Sequence, residues 1–382
     1  MTNFENVVQF ISKNAEHPFI RYTLERSQVG FEDIKKYKNF KKLKPLTRMK
    51  LRELSLDIKN FVSLVSCCPL KIFESPGPIY NLKVEDFYQY RFYKALEYSS
   101  FGHSDIVVNT FSYHLTPAGE MFDEAIRKIG ATSIPVGPSS SSKCAEVIKN
   151  TKATGFIGTK TFLKKVLEEL NSSNTLLKAY LIAEKITTEE RKELSEKYNI
   201  EIYQGYGTAE VGLIATECEY KDGMHIDDEI FVEFLDPVTY ENTSEGETGE
   251  VFVTILNPKY PLIRYATGDL AVFTKDACKC KKESFRIVNI AGRVDTSVKV
   301  RGVFIHKWMF DEFCNKNNIH AELLVGNDEK NNDYLKLSLS KSVSGIEDKF
   351  RESFKLRLNS VEIQQNICEN RVIEDRSYLK KR

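Results

Sequence analysis

Between Asp105 and Glu184, short apolar runs alternate with longer amphipathic ones. "DIVVNTF" (Asp105–Phe111), "ATSIPVG" (Ala131–Gly137), "GFIGT" (Gly155–Thr159) and "LKAYLIAE" (Leu177–Glu184) are too short for stable helices and too apolar for surface loops. Runs of this kind suit strands buried on both faces. Between them, "AGEMFDEAIRKIG" (Ala118–Gly130), "SSSSKCAEVIKNTK" (Ser139–Lys152) and "KTFLKKVLEEL" (Lys160–Leu170) carry helical spacing, the second behind Ser N-cap candidates. Strands alternating with helices of this length predict βαβ units and an α/β fold, with a parallel sheet covered on both faces.

The flanking regions differ in texture. Residues 1–60 read as a helical lead-in, with helical spacing over Phe31–Lys36 and Met49–Phe61 and Thr47 as an N-cap. "DFYQYRFYKALEYS" (Asp86–Ser99) reads as an aromatic-rich amphipathic helix. After Tyr203 the pattern turns β-rich, with strands expected over Glu229–Pro237 and Gly249–Leu256. A final α-β-β-α-β series runs from helix Lys307–Asn317 to strand "VEIQQNIC" (Val361–Cys368). These divide the 382 residues into the lead-in (1–60), a large domain (61–294) and a small α+β domain (295–382), with the joint near Asp295.

Composition excludes more than it identifies. Lys+Arg at 55 against Asp+Glu at 54 leaves a net charge of +1, which argues against a nucleic-acid-binding protein of generally basic character. No apolar run approaches the ~20 residues of a membrane span. The start, "MTNFEN", has no secretory pattern. Eight cysteines are too few for a disulfide scaffold and suit free thiols or a metal site in the reducing cytoplasm.

Three stretches are more specific than periodicity: "YQGYGTAEVG" (Tyr203–Gly212), "YPLIRYATGDL" (Tyr260–Leu270) and "IAGRVDTSVKVRGVFI" (Ile290–Ile305). In this order they resemble the adenylate-forming superfamily of acyl-CoA synthetases. "NTFSYHLTPAG" (Asn109–Gly119), "GMHIDDE" (Gly223–Glu229), a Cys-x-Cys and "VIEDR" near the end are similar to the phenylacetate–CoA ligase branch. The resemblance implies a large α/β adenylate-forming domain with βαβ units and a β-rich subdomain, plus a small mobile α+β domain. It also implies a reaction: a carboxylate and MgATP give an acyl-adenylate, whose acyl group passes to a thiol, usually coenzyme A.

It further assigns residues. Glu210 matches the magnesium-binding glutamate, and Mg²⁺ prefers oxygen ligands. Thr208 would donate its hydroxyl to a phosphate. Tyr206 would offer adenine a flat face beside Gly207. Asp269 has two acceptor oxygens for the ribose diol. Arg293 matches a second ribose or phosphate contact; Arg264 is either another such contact or a structural ion pair. Phe111, Tyr113, His114 and Gly205 fall where the family lines its acyl pocket, and Asp295 at its hinge. The expected ligands are a small carboxylic acid, ATP or AMP with Mg²⁺, and coenzyme A as candidate acceptor. No nucleic acid or membrane is expected, and a homodimer is a candidate assembly.

Cys218, His225, Cys278 and Cys280 fit a closed tetrahedral zinc site, and members of the resembling branch place a metal at matching positions. The alternative is four unrelated groups in a reducing cytosol. Cys67 and Cys68, flanked by apolar residues, are expected to be buried.

Two features depart from the family. Where a Ser/Thr/Gly-rich loop ending in Gly-Lys should hold the β- and γ-phosphates, this chain has "FESPGPIYNLK" (Phe73–Lys83), with Lys83 the nearest substitute. The lysine expected near the C-terminus falls at or beside Cys368, with Lys380 and Lys381 well beyond it. Three readings follow: a ligase with unusual nucleotide handling, using Arg371 or another cation; a non-adenylating relative that binds AMP or acyl-CoA as a sensor or scaffold; and an acyl transferase with Cys368 as nucleophile.

Overall fold

Each apolar run of the first half becomes a strand. The computed structural model describes residues 3–75, 77–85, 88–237, 239–294, 298–301, 303–305, 307–327 and 333–375. Its early strands are β1 (Leu46–Thr47), β2 (Lys71–Ser75), β3 (Ile79–Lys83), β4 (Ile106–Asn109), β5 (Thr132–Pro135), β6 (Gly155–Gly158), β7 (Lys178–Leu181) and β8 (Glu201–Thr208). Strands β4 to β8 lie parallel in the order β5-β4-β6-β7-β8. The connecting helices are Ala118–Lys128, Ser141–Thr151, Lys160–Leu170 and Thr188–Tyr198. Ser140, Thr159 and Thr187 cap the last three by accepting from backbone N–H groups, which satisfies donors a helix start leaves unpaired. The winding reverses at β4, so the crevice at its carboxyl end is where sheets of this kind place ligands.

Beyond β8 the sheet continues with β9 (Gly212–Glu217), β10 (Met224–Ile226), β11 (Ile230–Leu235), β12 (Thr248–Ile255), β13 (Leu262–Thr274) and β14 (Arg286–Arg293), in the order β8-β9-β10-β14-β13-β12-β11. With β1 paired to β13, the described residues form a twelve-stranded sheet. Strand β8 is parallel to β7 and antiparallel to β9, so the first motif sits where the parallel half meets the antiparallel half.

By its internal packing the chain divides into two units, Met1–Ala291 and Gly292–Arg382. The lead-in belongs to the first: Val7, Ile11, Ile20, Phe40 and Leu43 share a core with Ile263 of β13. Phe31–Lys36 holds only a 3-10 turn at Asp33–Lys35. Met49–Phe61 is divided between helices Arg48–Leu56 and Ile58–Ser63, because the Asp57 side chain accepts from Asn60 N and starts a new helix. The helix read from Asp86 begins only at Phe92, because Arg91 takes a left-handed conformation (φ +60°). Asp86 and Phe87, like Asp295, Lys380 and Lys381, lie outside the described residues.

In the second unit β15 (Val298–Val300) pairs with β16 (Val303–Ile305). A second sheet has the order β19-β18-β17-β20, from β17 (Ala321–Asn327), β18 (Asp333–Leu339), β19 (Ser360–Ile363) and β20 (Arg371–Asp375). Helices Lys307–Lys316 and Ile346–Phe354 bury Phe310, Phe313, Phe350 and Phe354 in its core. Two details correct the sequence reading. The strand expected to reach Cys368 ends at Ile363, which leaves Cys368 exposed, and β20, which takes in the first residues of "VIEDR", lies parallel to β17.

Candidate active site and metal centre

The first and second motifs meet in the first unit. Tyr206 Oη donates to Asp269 Oδ2 at 2.8 Å, with Thr267 Oγ1 at 3.4 Å, and all three residues are buried. Glycine makes the neighbouring geometry possible. Gly212 has φ +80°, and a Cβ there would lie 2.5 Å from the Tyr90 carbonyl oxygen. A Cβ on Gly207 would lie 2.3 Å from the Gly212 carbonyl oxygen.

Glu210 lies in the turn from β8 to β9, so the segment is strand-turn-strand. Thr208 Oγ1 accepts from Val211 N at 3.2 Å and closes the turn. Glu210 is only 5% exposed; its Oε1 accepts from Ser75 Oγ at 3.3 Å, while its buried Oε2 has no hydrogen-bond partner. A buried carboxylate oxygen without a donor is costly unless a ligand completes it. The charge is felt nearby: burial first, then Glu210, pushes the Tyr260 hydroxyl pKa up.

The loop after β4 carries the other pocket candidates, at the winding reversal. Phe111 stacks on Phe122 with ring centroids 5.3 Å apart. Tyr113 Oη accepts from Asn109 Nδ2 at 2.9 Å; burial and then Asp123 push its pKa up to about 12. His114 is exposed.

Two residues are placed differently from the sequence reading, and Arg264 takes the second of its two readings. Arg264 is fully buried: its Nε donates to Glu233 Oε2 at 3.0 Å and its Nη1 to the carbonyls of Lys41 and Leu43. It forms the structural ion pair, tying the lead-in to the sheet. Gly205 opens no pocket, since a Cβ there would lie 1.7 Å from Tyr180 Oη, which already fills the space. Lys83, the substitute phosphate lysine, is 1% exposed and held by Glu124, with Glu120 at 3.6 Å. Arg293 ends β14 among the residues of the second unit, and Arg371, exposed, pairs with Glu369.

Sequence reasoning missed the groups that hold these turns. Within "FESPGPIYNLK", β2 and β3 pair antiparallel, and Ser75 and Asn81 contact each other beside Glu210. Arg91 binds Asp227 and donates to the carbonyls of Val211 and Leu213, on both sides of Gly212. Asp227 stood in a quoted motif; nothing in the sequence marked Arg91.

The four metal candidates do converge. Their ligand atoms lie within 4.8 Å of one another, with Cys218 Sγ–Cys278 Sγ at 3.7 Å and Cys280 Sγ–His225 Nε2 at 3.3 Å. Two sulfurs at 2.3 Å from a tetrahedral zinc would be about 3.8 Å apart. His225 Nδ1 meets Ser284 Oγ at 2.7 Å, which leaves Nε2 to face the cysteines. Burial, then Lys282 and Arg286, lower the His225 pKa to about 4 and favour the neutral imidazole that a metal needs. Among the described residues no helix is long and apolar enough to cross a membrane.

Comparison with known proteins places this geometry. No protein-family profile matches the chain. A phenylacetate–coenzyme A ligase from Thermus thermophilus is 30% identical over 209 residues, 52% of this chain and 47% of its own. One from Aromatoleum evansii is 30% identical over 224 residues, 56% of this chain and 50% of its own. A solved 2-hydroxyisobutyryl-CoA ligase, in complex with 2-HIB-AMP and CoA, superposes with a TM-score of 0.83 at 20% identity, over 99% of this chain and 89% of that one. Over about half its length the chain is similar to phenylacetate–CoA ligases, and it shares the fold of the solved CoA ligase. It spans about half the length of the curated relatives it matches. An amide bond synthetase from Marinactinospora thermotolerans shares the fold more distantly, at a TM-score of 0.56 over 77% of this chain.

Proposed function

We propose that the chain activates a small carboxylic acid with ATP and passes the acyl group to a thiol such as coenzyme A. The observation that carries this is the buried Tyr206–Asp269 pair, which joins the two motifs. It rests also on the likeness to coenzyme A ligases. In the first step a carboxylate oxygen attacks the α-phosphorus and the bond to pyrophosphate breaks. In the second a thiolate attacks the acyl carbon and AMP leaves. Asp269 would accept the ribose hydroxyls, with Tyr206 and Gly207 against the base. Thr208 would face a phosphate, with Arg293 as a further contact. Phe111, Tyr113 and His114 would border the acid, and Asp295 would be the hinge. Glu210 Oε2, buried and unpartnered, fits Mg²⁺, which would offset the charge of the departing pyrophosphate. Cys218, His225, Cys278 and Cys280 would hold a structural zinc with no open position. A cytoplasmic location follows from reduced thiols and from these substrates. The ligase relatives do not favour the sensor reading.

Calorimetric titration tests this without knowing the acid. Asp269→Ala removes both ribose acceptors, so AMP should bind about 100-fold more weakly, at ~1.5 kcal/mol for each bond to a charged group. Unchanged AMP affinity in a folded variant would refute the reading.

A further inference from the structure

The hairpin in place of the phosphate loop has no Gly-Lys, yet it is neither short of polar groups nor loose. Tyr80 N donates to Ser55 Oγ at 3.1 Å, and Glu74 N donates to the Leu115 carbonyl at 2.8 Å. The hairpin is thus tied on one side to a helix and on the other to the loop after β4. Its register pairs Phe73 with Asn81 and Ser75 with Ile79, so Ser75 and Asn81 share one face. Both are buried, at 4% and 3% exposure.

On that face the hydrogen bonds run in one direction. Asn81 Nδ2 is 3.0 Å from Ser75 Oγ and 3.4 Å from the Ile79 carbonyl. The carbonyl can only accept, so the amide NH₂ must face this side and donate. Ser75 Oγ, having accepted from Asn81, has one proton to give. Its acceptors are the Ile79 carbonyl and Glu210 Oε1, each at 3.3 Å. The ionised carboxylate is the stronger acceptor. The relay therefore fixes Oε1 and leaves Oε2 as the unpartnered atom.

We propose that Ser75 and Asn81 are positioning residues that orient the Glu210 carboxylate toward a divalent cation arriving with the nucleotide. The hairpin would then have exchanged a direct cationic clamp on the phosphates for indirect control of the cation. The inference rests on the assignment of Glu210 to the metal in the proposed function.

The test is calorimetric titration of the full chain with ATP, in Mg²⁺ and again in EDTA; the ratio of the two affinities is the gain due to the cation. Partners of metal-binding groups typically contribute 10–100-fold to metal affinity, so Ser75→Ala and Asn81→Leu should each cut the gain about 10-fold. Affinity in EDTA should stay unchanged, and Ser75→Thr, which keeps the hydroxyl, should keep the gain. Near-ultraviolet circular dichroism checks the fold, and if one variant fails to fold the other carries the test. If Glu210→Gln removes the gain while folded Ser75→Ala and Asn81→Leu keep it, the positioning role is wrong and the Glu210 assignment stands. If the wild type shows no gain, or Glu210→Gln keeps it, the assignment beneath the inference fails as well.

Discussion

The two ends of β9 carry polar centres built on opposite plans. After its last residue, Glu217, comes Cys218, and there four donors face one another. Before its first residue, Gly212, comes the Glu210 turn, where partners engage one carboxylate oxygen and leave the other without one. A centre whose donors saturate one another suits a structural ion; a centre that keeps a position open suits a ligand that comes and goes. Damage to the closed centre should therefore appear in stability, and damage to the open one in affinity.

The largest effect is expected at the closed centre. Structural zinc contributes an apparent ~10–16 kcal/mol in small zinc domains. Metal analysis should find one zinc per wild-type chain; Cys278→Ser should lose it and should lower the melting temperature more than Lys83→Met or Gly205→Ala does. A wild-type chain purified under reducing conditions without zinc, yet equally stable, would break the contrast.

Lys83 sharpens it next. Buried against Glu124, it is a structural cation. Lys83→Met removes the buried cation facing Glu124 and should cost up to about 3–5 kcal/mol in denaturant unfolding. Lys83→Met/Glu124→Met should recover most of that loss and keep the wild-type ratio of MgATP to AMP affinity. A selective fall in MgATP affinity would instead place Lys83 at the phosphates.

How far the sequence reveals each plan follows from the physics. The parallel sheet was legible because buried strands must be apolar and their helices amphipathic. The convergence of Cys218, His225, Cys278 and Cys280 was legible because few residue types suit zinc. What was hidden depends on which side chain reaches which backbone. Arg264 sits in a motif, yet its partners are carbonyls at Lys41 and Leu43, more than 200 positions away. Ser75 and Asn81 are common hairpin residues until the fold lays them beside Glu210.

Gly205 offers a smaller test of that lesson. If the residue were needed for an open pocket, a methyl group there would change acid binding first. With Tyr180 Oη already in the space, Gly205→Ala should cost about 1–3 kcal/mol of stability, as overpacked cores do. Gly205→Ala/Tyr180→Phe should regain part of it by removing the clashing oxygen, as thermal melts of the four-member cycle would reveal. No recovery would show that the strain lies elsewhere.

The last effect is a pH dependence at the closed centre, seen best with metal removed by EDTA. His225 has a pKa near 4 in the folded chain, because burial and the charges of Lys282 and Arg286 oppose protonation. In the unfolded chain the same imidazole titrates near ~6.5. Between these values the unfolded state binds a proton that the folded state refuses, so stability must rise with pH across the window. The contribution is therefore complete above about pH 6.5 and is lost as the pH falls toward 4. Other groups titrate in the same range, so the decisive quantity is the difference from His225→Asn, a neutral variant that keeps a polar group near Ser284. Urea midpoints at a series of pH values should fall more steeply with acid for the wild type than for the variant. Parallel curves would mean that His225 is readily protonated in the folded chain, and that the centre is less ready for a metal than its four converging donors imply.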